Sequence, residues 1–379
     1  MELQAAKAPN IRYKENVHTL FTDVIIALLP LYAMAFFYYG PRTVVMGLYA
    51  AALCFVVDLL ARRMAGRTIK LNDFSAVLTG LIIALLLPAT APYYVLVAAC
   101  LFAMLIAKHP FGGLGANLFN PACAGLAFGA VCWPEAFFRF PKPFDQIPVL
   151  LTAKPELVQS PASVLKIHGE PSGDLLLMLL GNFSGPMGAT SILVIVSCLF
   201  FLLIRRTITW HIPVSLLVSA GAFALLFPRV QFNAFISMIY ELLAGCIVFG
   251  AAFVASDPVT SPSLPAAKIW YGAGIGILTM LFRYFGGFEE GFIFAVLLMN
   301  ALAFSLDRFA LWLRYDFFST SVHSRFGYGS GRPSKKILVT VDPERDAEEE
   351  RVPEHENEKE GAQEPVKALA QGRGGSSHG

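Results

Sequence analysis

Two adjacent hydroxyl side chains, Thr190 and Ser191, stand at the start of an apolar segment that runs to Ile204. They follow residues 180–189, which are small or turn-forming and include three glycines. Such a stretch lets the backbone approach a bulky partner closely at the point where a helix begins. On this motif alone the simpler interpretation is favoured, in which Thr190 or Ser191 only caps the following helix.

Ionisable residues inside or beside apolar segments form a second set of residues that could take part in chemistry. Glu241 lies within one such segment and Asp257 closes it, while Asp58 ends an earlier segment. An unpaired charge in hydrocarbon costs at least ~2.5 kcal/mol, so these residues are candidates for an ion path. For Asp58 we favour an ion pair with Arg62. For Asp257, a role as the cap of a turn is as plausible as a functional role. Glu241 has no obvious local partner and is the stronger candidate.

Other catalytic patterns are missing from the sequence, which has no Ser-His-Asp arrangement, no Walker loop and no G-x-G-x-x-G after a strand. The glycine run at 112–115 follows an apolar segment, where a tight turn or helix break is favoured over a phosphate cradle. The six cysteines lie in or beside apolar stretches, without a C-x-x-C pair or histidines at metal-ligand spacing. We therefore expect packing cysteines, no metal and no stand-alone catalytic residue, with a cluster shared with a neighbouring subunit as the alternative.

Composition indicates the class of protein that must position these residues. The chain is 56% hydrophobic and only 15% charged, which exceeds what the surface of a soluble domain tolerates. This predicts an all-α polytopic membrane protein with about ten transmembrane helices and no nucleic-acid partner. Several apolar spans are shorter than the ~20 residues of a straight crossing and are bounded by Pro or Gly, which predicts broken or tilted helices. The ten spans are approximately 24–39, 44–60, 74–87, 94–107, 121–133, 190–204, 212–227, 235–255, 269–282 and 292–312.

Basic residues are concentrated in alternate short loops, which predicts that both termini lie in the cytoplasm. Residues 1–20 lack the pattern of a cleaved signal and are expected to form a cytoplasmic lead-in. The connection 134–188 then lies outside, with Thr190 at the outer end of the sixth span. The hydrophilic segment 319–379 cannot bury enough apolar surface to fold alone, so a disordered cytoplasmic tail is predicted.

The halves 21–133 and 189–318 share a weak pattern. Each contains a Phe-Gly-Gly run, at 111–113 and 285–287, followed by a span near Asn120 or Asn300. Two units of five spans must enter the membrane from opposite sides, so a repeat here is an inverted one, with the functional site where the halves meet. A channel or carrier built this way is one alternative, and in it Thr190 is only a cap.

The run 106–122, I-A-K-H-P-F-G-G-L-G-A-N-L-F-N-P-A, resembles the signature of the NqrB/RnfD family, I-A-K-x-x-x-G-G-x-G-x-N-x-F-N-P-A. Blocks at 210–213, 257–261 and 285–300 are similar to further family blocks in the same order. The resemblance covers about residues 10–307. Length and compact loops look most like the RnfD members, which belong to the Rnf complex. The NqrB members, from the sodium-pumping NADH:quinone oxidoreductase, are the alternative.

The resemblance implies a covalent FMN, joined through its phosphate to a threonine hydroxyl by a flavin transferase. Gly188, Ala189, Thr190 and Ser191 occupy the place of the family's attachment motif, with Thr190 as the attachment residue; relatives often have Glu or Ser where Ala189 stands here. The family also implies a multi-subunit Rnf-type complex in the bacterial inner membrane. There, electrons from ferredoxin or NADH enter through other subunits, and this subunit carries a flavin relay linked to Na⁺ or H⁺ movement.

Overall fold

Helices make up most of the described chain, which in this computed structural model comprises residues 17–66, 74–150, 155–167, 175–230 and 233–314. A pair of short strands, β1 (Phe140–Pro141) and β2 (Leu157–Val158), is antiparallel. The helices of the first part are α1 (Val17–Tyr39), α2 (Pro41–Met64), α3 (Ser75–Leu86), α4 (Tyr93–Phe102), α5 (Pro121–Cys132), α6 (Pro134–Phe137), α7 (Pro161–Lys166) and α8 (Leu175–Leu180). Those of the second part are α9 (Ile192–Ile204), α10 (His211–Leu226), α11 (Ala234–Leu243), α12 (Ile247–Phe253), α13 (Pro265–Phe285) and α14 (Phe292–Trp312).

Each of the ten predicted apolar spans coincides with a helix or a pair of helices. Within the described residues, α1, α2, α13 and α14 are long and apolar enough to cross a membrane, and α11 with α12 forms a further span bent by 54°. The apolar helices α3, α5, α9 and α10 are shorter, as is α4 even with its π-helical extension Ala103–Lys108. The chain is thus a multi-pass helical membrane protein with four or five full-length spans among its described residues.

The start of the chain differs from the prediction. Helix α1 begins at Val17, so it includes the last residues of the predicted 1–20 lead-in. The described residues, 17–314 with their gaps, belong to one compact unit. The predicted disorder of the 319–379 tail lies outside the described residues.

Prolines and one asparagine set the helix starts. Pro41, Pro121 and Pro265 occupy the first turns of α2, α5 and α13, where the missing N–H has no intrahelical partner to lose. Asn120 caps α5 by accepting hydrogen bonds from the backbone N–H groups of the next turn. These starts place the ends of the short helices inside the bundle.

Glycines allow helix backbones to approach closely. A methyl group at Gly80 of α3 would contact the Ala50 backbone of α2, and one at Gly276 of α13 would contact the Leu216 carbonyl of α10. Small residues at such crossings let membrane helices gain van der Waals contact along their length. The pairs α2–α3 and α10–α13 are accordingly packed face to face.

The connection between the halves is more structured than a loop and binds to both of them. It contains α6 to α8 and the strand pair. On one side the Ile147 N–H donates to the Tyr39 carbonyl at the end of α1 (3.0 Å). On the other, Ser160 Oγ donates to Glu289 Oε2 (2.6 Å), and Lys166 Nζ donates to two carbonyls of the turn before α14. Burial raises the pKa of Glu289, while the hydrogen bond from Ser160 opposes that shift. The connection therefore acts as a strap across this end of the bundle.

Candidate functional site

Thr190 lies immediately before α9 and is 1% exposed. Ser191 is the N-cap residue of α9, yet its side chain makes no capping hydrogen bond. The Tyr39 hydroxyl at the end of α1 lies close to the same stretch of chain and donates to the Phe183 carbonyl (3.5 Å). The interpretation of these hydroxyls as simple helix caps is therefore wrong, and the first turn of α9 keeps N–H groups without a side-chain acceptor.

The segment 181–191, which we call the attachment segment, packs across the ends of α1 and α3. The Met187 N–H donates to the Leu87 carbonyl (3.1 Å), and the Gly188 N–H donates to the Leu85 carbonyl (2.7 Å). Gly181 has a φ of +96°, a backbone conformation that favours glycine. The turn-forming residues of the segment thus satisfy the carbonyls at the end of α3 and leave Thr190 facing α1.

The residue types around Thr190 allow a phosphate ester, but the hydroxyl is enclosed in this structure, since Thr190 is 1% exposed and lines none of the three cavities described for it. A primary requirement is a side-chain hydroxyl, which Thr190 supplies. A second is stabilisation of negative charge, which the N-terminus of the 13-residue α9 favours because no side chain caps it and its dipole is positive there. Gly188, Ala189 and Ser191 add no charge or bulk of their own beside the hydroxyl. FMN, if esterified here, would be held by Thr190 at the mouth of α9.

A cavity of about 60 Å³ lies between the two halves, at the other end of α1; its wall is mostly apolar, and we call it the polar cavity for the polar side chains that also line it. Space of this size holds on the order of five water molecules. Its walls come from α1, α3, the turns before α5 and after α12, and the loop between α9 and α10. Its polar lining consists of Ser75, Thr79, Lys108, Asn117, Asn120, Thr207, Ser256 and Asp257.

Lys108 connects the polar cavity to a buried ion cluster. Its Nζ donates to Ser75 Oγ (2.8 Å) and pairs with Asp58 Oδ1 (3.1 Å). Arg62 Nε binds the other Asp58 oxygen at 2.7 Å, which confirms the predicted Asp58–Arg62 pair. His109 Nε2 also lies 3.1 Å from Asp58, and its Nδ1 is buried without a partner. Lys108 is recognisable from sequence as an ionisable residue beside the glycine turn, but the pairing of Lys108 and His109 with Asp58 is not, because α2 and the π-helical turn are distant along the chain.

The glycine run after this cluster forms a turn. Gly112 and Gly113 have φ values of 118° and 85°, and their N–H groups donate to the carbonyls of His109 and Lys108. These two N–H groups are thereby used within the chain and do not point to a phosphate. The tight-turn interpretation is confirmed.

Asp257 is half-buried in the wall of the polar cavity, between α12 and α13. Its carboxylate accepts from the Val259 N–H (3.3 Å) and the Thr260 hydroxyl (3.1 Å). Among the described residues no cationic side chain forms an ion pair with it. Asp257 therefore combines the two features considered from sequence, since it caps a local turn and also lines a polar space.

Glu241 has partners, contrary to the expectation from sequence. Its carboxylate lies 3.3 Å from Arg229 and 3.4 Å from Arg283. Arg283 also lies 3.2 Å from Glu290, whose carboxylate accepts from the Cys246 thiol (3.3 Å). We call these residues the arginine–glutamate cluster, and it lies at the break between α11 and α12. The argument that Glu241 is an unpaired charge is wrong, because its partners come from other elements.

All six cysteines are unpaired thiols, and five of them are buried in the helix packing. The exception is Cys132, which is exposed at the end of α5. Cys123 and Cys246 are at most 2% exposed, so neither presents its thiol to a neighbouring subunit. The expected packing role therefore holds for the buried five.

The attachment segment and the polar cavity lie at opposite ends of the same helices. Phe21 and Tyr39 of α1 mark the two positions, and 18 residues of α-helix separate them by about 27 Å. Helix α3 likewise runs from Ser75 at the cavity to Leu85 under the attachment segment. The two sites are thus a membrane thickness apart.

Comparison with known proteins identifies the family to which a chain with this architecture belongs. The model of the NQR2, RnfD, RnfE family matches residues 4–313. This chain belongs to that family. The family relation covers every described helix, including both the attachment segment and the polar cavity.

Relatives carry names from one type of complex. The D subunit of the proton-translocating ferredoxin:NAD(+) oxidoreductase complex of Clostridium ljungdahlii is 32% identical over 311 residues, 80% of this chain and 93% of the relative. The D subunit of the Na(+)-translocating ferredoxin:NAD(+) oxidoreductase complex of Acetobacterium woodii is 32% identical, covering 82% of this chain and 94% of the relative. The D subunit of the ion-translocating oxidoreductase complex of Alcanivorax borkumensis is 31% identical, covering 81% and 95%.

Proposed function

We propose that this chain is the membrane subunit of an Rnf-type, ion-translocating ferredoxin:NAD oxidoreductase complex, and that it carries FMN esterified to Thr190. Its relatives include the D subunits of such complexes over nearly their whole length. The observation that carries the cofactor assignment is the Thr190 hydroxyl beside the uncapped N-terminus of α9. A bound flavin supplies one- and two-electron transfer, which no side chain of this chain provides.

The ester defines what the chain itself contributes. Thr190 Oγ forms the bond to phosphorus and gives up its proton, while a flavin transferase breaks the phosphoanhydride of an activated flavin nucleotide and releases a nucleoside monophosphate. Helix α9 then holds the negative phosphodiester at its positive end. The protein's part in electron transfer is to fix this position and the charge around it.

We place the ion path at the polar cavity, with Asp257 as its ionisable group. A half-buried carboxylate that has no cationic partner among the described residues is suited to hold a proton or bind a cation, because an uncompensated charge is costly inside a membrane. The cavity beside Asp257 provides space for water or a partly hydrated ion. Glu241, the other candidate, is compensated by two arginines and is less suited to exchange an ion. Relatives named for H⁺ and for Na⁺ are equally similar to this chain, so the proposal covers either ion.

We also propose the arrangement in the membrane. All ten apolar elements cross the bilayer as two inverted halves, with both termini in the cytoplasm of a bacterial inner membrane. The polar cavity then faces the cytoplasm and Thr190 the outside, as the distribution of basic residues predicts. Short helices such as α3 and α9 cross only part of the thickness, which brings their ends to the two sites.

Intact-mass measurement of the protein, co-expressed with its flavin transferase, tests the cofactor assignment. We expect wild type to be heavier by FMN less one water and to give a fluorescent band on a denaturing gel. Thr190→Ala should lose both signals, and Thr190→Ser should restore part of them. Ser191→Ala is the matched control, since its hydroxyl is adjacent and makes no cap bond. Wild-type protein without the added mass would contradict the assignment and favour a channel or carrier.

A further inference from the structure

The loop between α9 and α10 is fastened to α1 through one carboxylate. Arg205 Nη2 donates to Asp23 Oδ1 (3.0 Å), and Arg205 Nε donates to Asp23 Oδ2 (3.3 Å). The Thr207 hydroxyl donates to Asp23 Oδ2 as well (3.0 Å). We call these three residues the α1 clamp, and it joins the first half of the chain to the second.

The α1 clamp forms part of the wall of the polar cavity. Phe21 and Val24, on either side of Asp23 along α1, line the cavity, and so does Thr207. Thr207 is 8% exposed, whereas the side chain of Arg205 is 50% exposed. The clamp therefore extends from the cavity to the surface of the protein.

The contacts of the α1 clamp are of a kind that can open. Asp23 is 6% exposed, but Arg205 contacts solvent, so dissolved ions screen its attraction to the carboxylate. Arg206, the next residue of the loop, has a φ of +58°, a left-handed conformation that strains a residue with a Cβ atom. This strain opposes the hydrogen bonds of the clamp. The loop can thus leave α1 while the helices stay packed.

Opening of the clamp changes the charge at the mouth of the cavity. While the clamp is closed, a cation that approaches from solution meets the half-exposed guanidinium of Arg205, which repels it. When the loop moves away, Arg205 moves with it and the Asp23 carboxylate stays on α1, where it attracts cations. The same movement uncovers the cavity, whose wall also contains Asp257.

We infer that the α1 clamp is a gate of the polar cavity. The closed clamp separates the cavity from the adjacent solution, and the open clamp admits water and a proton or a cation to Asp257. Asp23 and Arg205 are positioning residues of this gate, since they act through the place of the loop. Passage of an ion rests on the proposed function, whereas closure of the cavity by the clamp is independent of it.

Accessibility of the cavity tests the gate directly. Ser256 lines the cavity and is 8% exposed, so a Ser256→Cys reporter in full-length protein carrying Cys132→Ser should react slowly with methyl methanethiosulfonate, which is small and uncharged. Asp23→Asn should raise the labelling rate roughly two- to tenfold, the factor that one lost hydrogen bond gives. The same protein without the reporter measures the background from the buried cysteines.

The matched control is Arg206→Gln, because it removes the same charge from the adjacent exposed residue, outside the clamp. It should leave the labelling rate unchanged, whereas Arg205→Gln should raise it. The effects of Arg205→Gln and Asp23→Asn should be less than additive, since both remove the same contact. Equal rates for wild type, Asp23→Asn and Arg205→Gln would overturn the inference, and so would an equal increase for Arg206→Gln and Arg205→Gln.

Salt provides a test that needs no substitution in the clamp. Raising KCl to about 1 M screens the exposed guanidinium, so the reporter should react faster with the clamp intact and at an unchanged rate with Asp23→Asn. A rate that is independent of salt in both proteins would also overturn the inference. Normal ion uptake by Asp257→Asn in the whole complex would instead refute the proposed ion path, and the labelling rates would still decide whether the clamp closes the cavity.

Discussion

Two carboxylates of this chain, the buried Glu241 and the half-buried Asp257, differ in the charges that face them. Glu241 lies within 3.4 Å of two arginines, whereas Asp257 accepts hydrogen bonds only from neutral groups among the described residues. In a low-dielectric interior a carboxylate that is compensated by cations stays ionised, and an uncompensated one exchanges a proton or a cation more readily. This difference supports the proposed ion path at Asp257 and favours a structural role for Glu241.

Asp257→Asn should block ion movement without affecting flavin attachment. The amide oxygen can still accept from the Val259 N–H, and the amide NH₂ can donate to the Thr260 hydroxyl, but the amide cannot release a proton or neutralise a cation. In membrane vesicles containing the whole complex, we expect ferredoxin-driven ion uptake to fall by roughly tenfold or more. Asp307→Asn is the control, since Asp307 accepts from backbone N–H groups at the start of α13. Normal uptake by Asp257→Asn would remove this residue from the path.

Arg283→Gln should destabilise the protein strongly. Without the guanidinium, Glu290 loses its arginine and Glu241 keeps only Arg229, and breaking such a buried pair typically costs about 3–5 kcal/mol. The Tm in detergent should fall clearly, and Glu290→Gln in the same chain should recover part of the loss. Arg139→Gln provides the comparison, because its pair with Glu135 is solvent-exposed and is worth at most about 1 kcal/mol. Similar Tm values for both variants would show that the cluster contributes little.

Two interruptions of helical structure are stabilised by arginine side chains from other helices. Arg283 of α13 donates to the carbonyls of residues 241 and 244 (2.7 Å each), at the end of α11. Arg42 of α2 donates to the Ala89 and Ala91 carbonyls (2.8 Å each), between α3 and α4. Each guanidinium satisfies carbonyls that a broken helix leaves free, which a membrane interior requires.

These interruptions explain what the sequence could and could not predict. Pro88 and Pro92 mark the first break locally, and the spans on either side were predicted close to their observed bounds. The second break has only Gly245 (φ +71°) as a local signal, so residues 235–255 were predicted as one span. The small residues of the attachment segment indicate a turn before α9, but its packing against α1 and α3 could not be predicted, because Tyr39 and Leu85 are far along the chain. Local turn chemistry is readable from sequence, and contacts between distant elements are not.

Helix packing predicts opposite effects for two glycines on α5. A methyl group at Gly125 would overlap the Ala99 carbonyl of α4, so Gly125→Ala should cost about 1–3 kcal/mol. At Gly129 the nearest atoms lie 3.7 Å from the added methyl, and Gly129→Ala should gain about 0.5–1 kcal/mol from helix propensity. Thermal melting of both variants in detergent measures the difference. A destabilised Gly129→Ala with an unaffected Gly125→Ala would contradict the observed α4–α5 interface.

At the scale of the whole molecule, two different sites lie at opposite ends of α1 and α3, and the strap joins the halves on the Thr190 side. Such an arrangement suits a protein that has a redox group on one face of a membrane and an ion entry on the other. Coupling between the sites then has a physical carrier, because both contact the same two helices. The hydrogen bond between Ser160 and Glu289 joins the strap to the turn before α14.

The number of crossings decides whether this arrangement is correct. If only α1, α2, α13, α14 and the bent pair α11–α12 crossed the membrane, there would be five crossings, and the two termini would lie on opposite sides. With ten crossings, both termini lie on the same side. We expect a reporter that fluoresces only in the cytoplasm to be bright at either terminus. In intact cells, a membrane-impermeant maleimide should label Glu135→Cys but not Met64→Cys, since both positions are exposed and lie at opposite ends of the bundle. Labelling of Met64→Cys alone would invert the protein and place Thr190 in the cytoplasm, on the wrong side for the proposed relay.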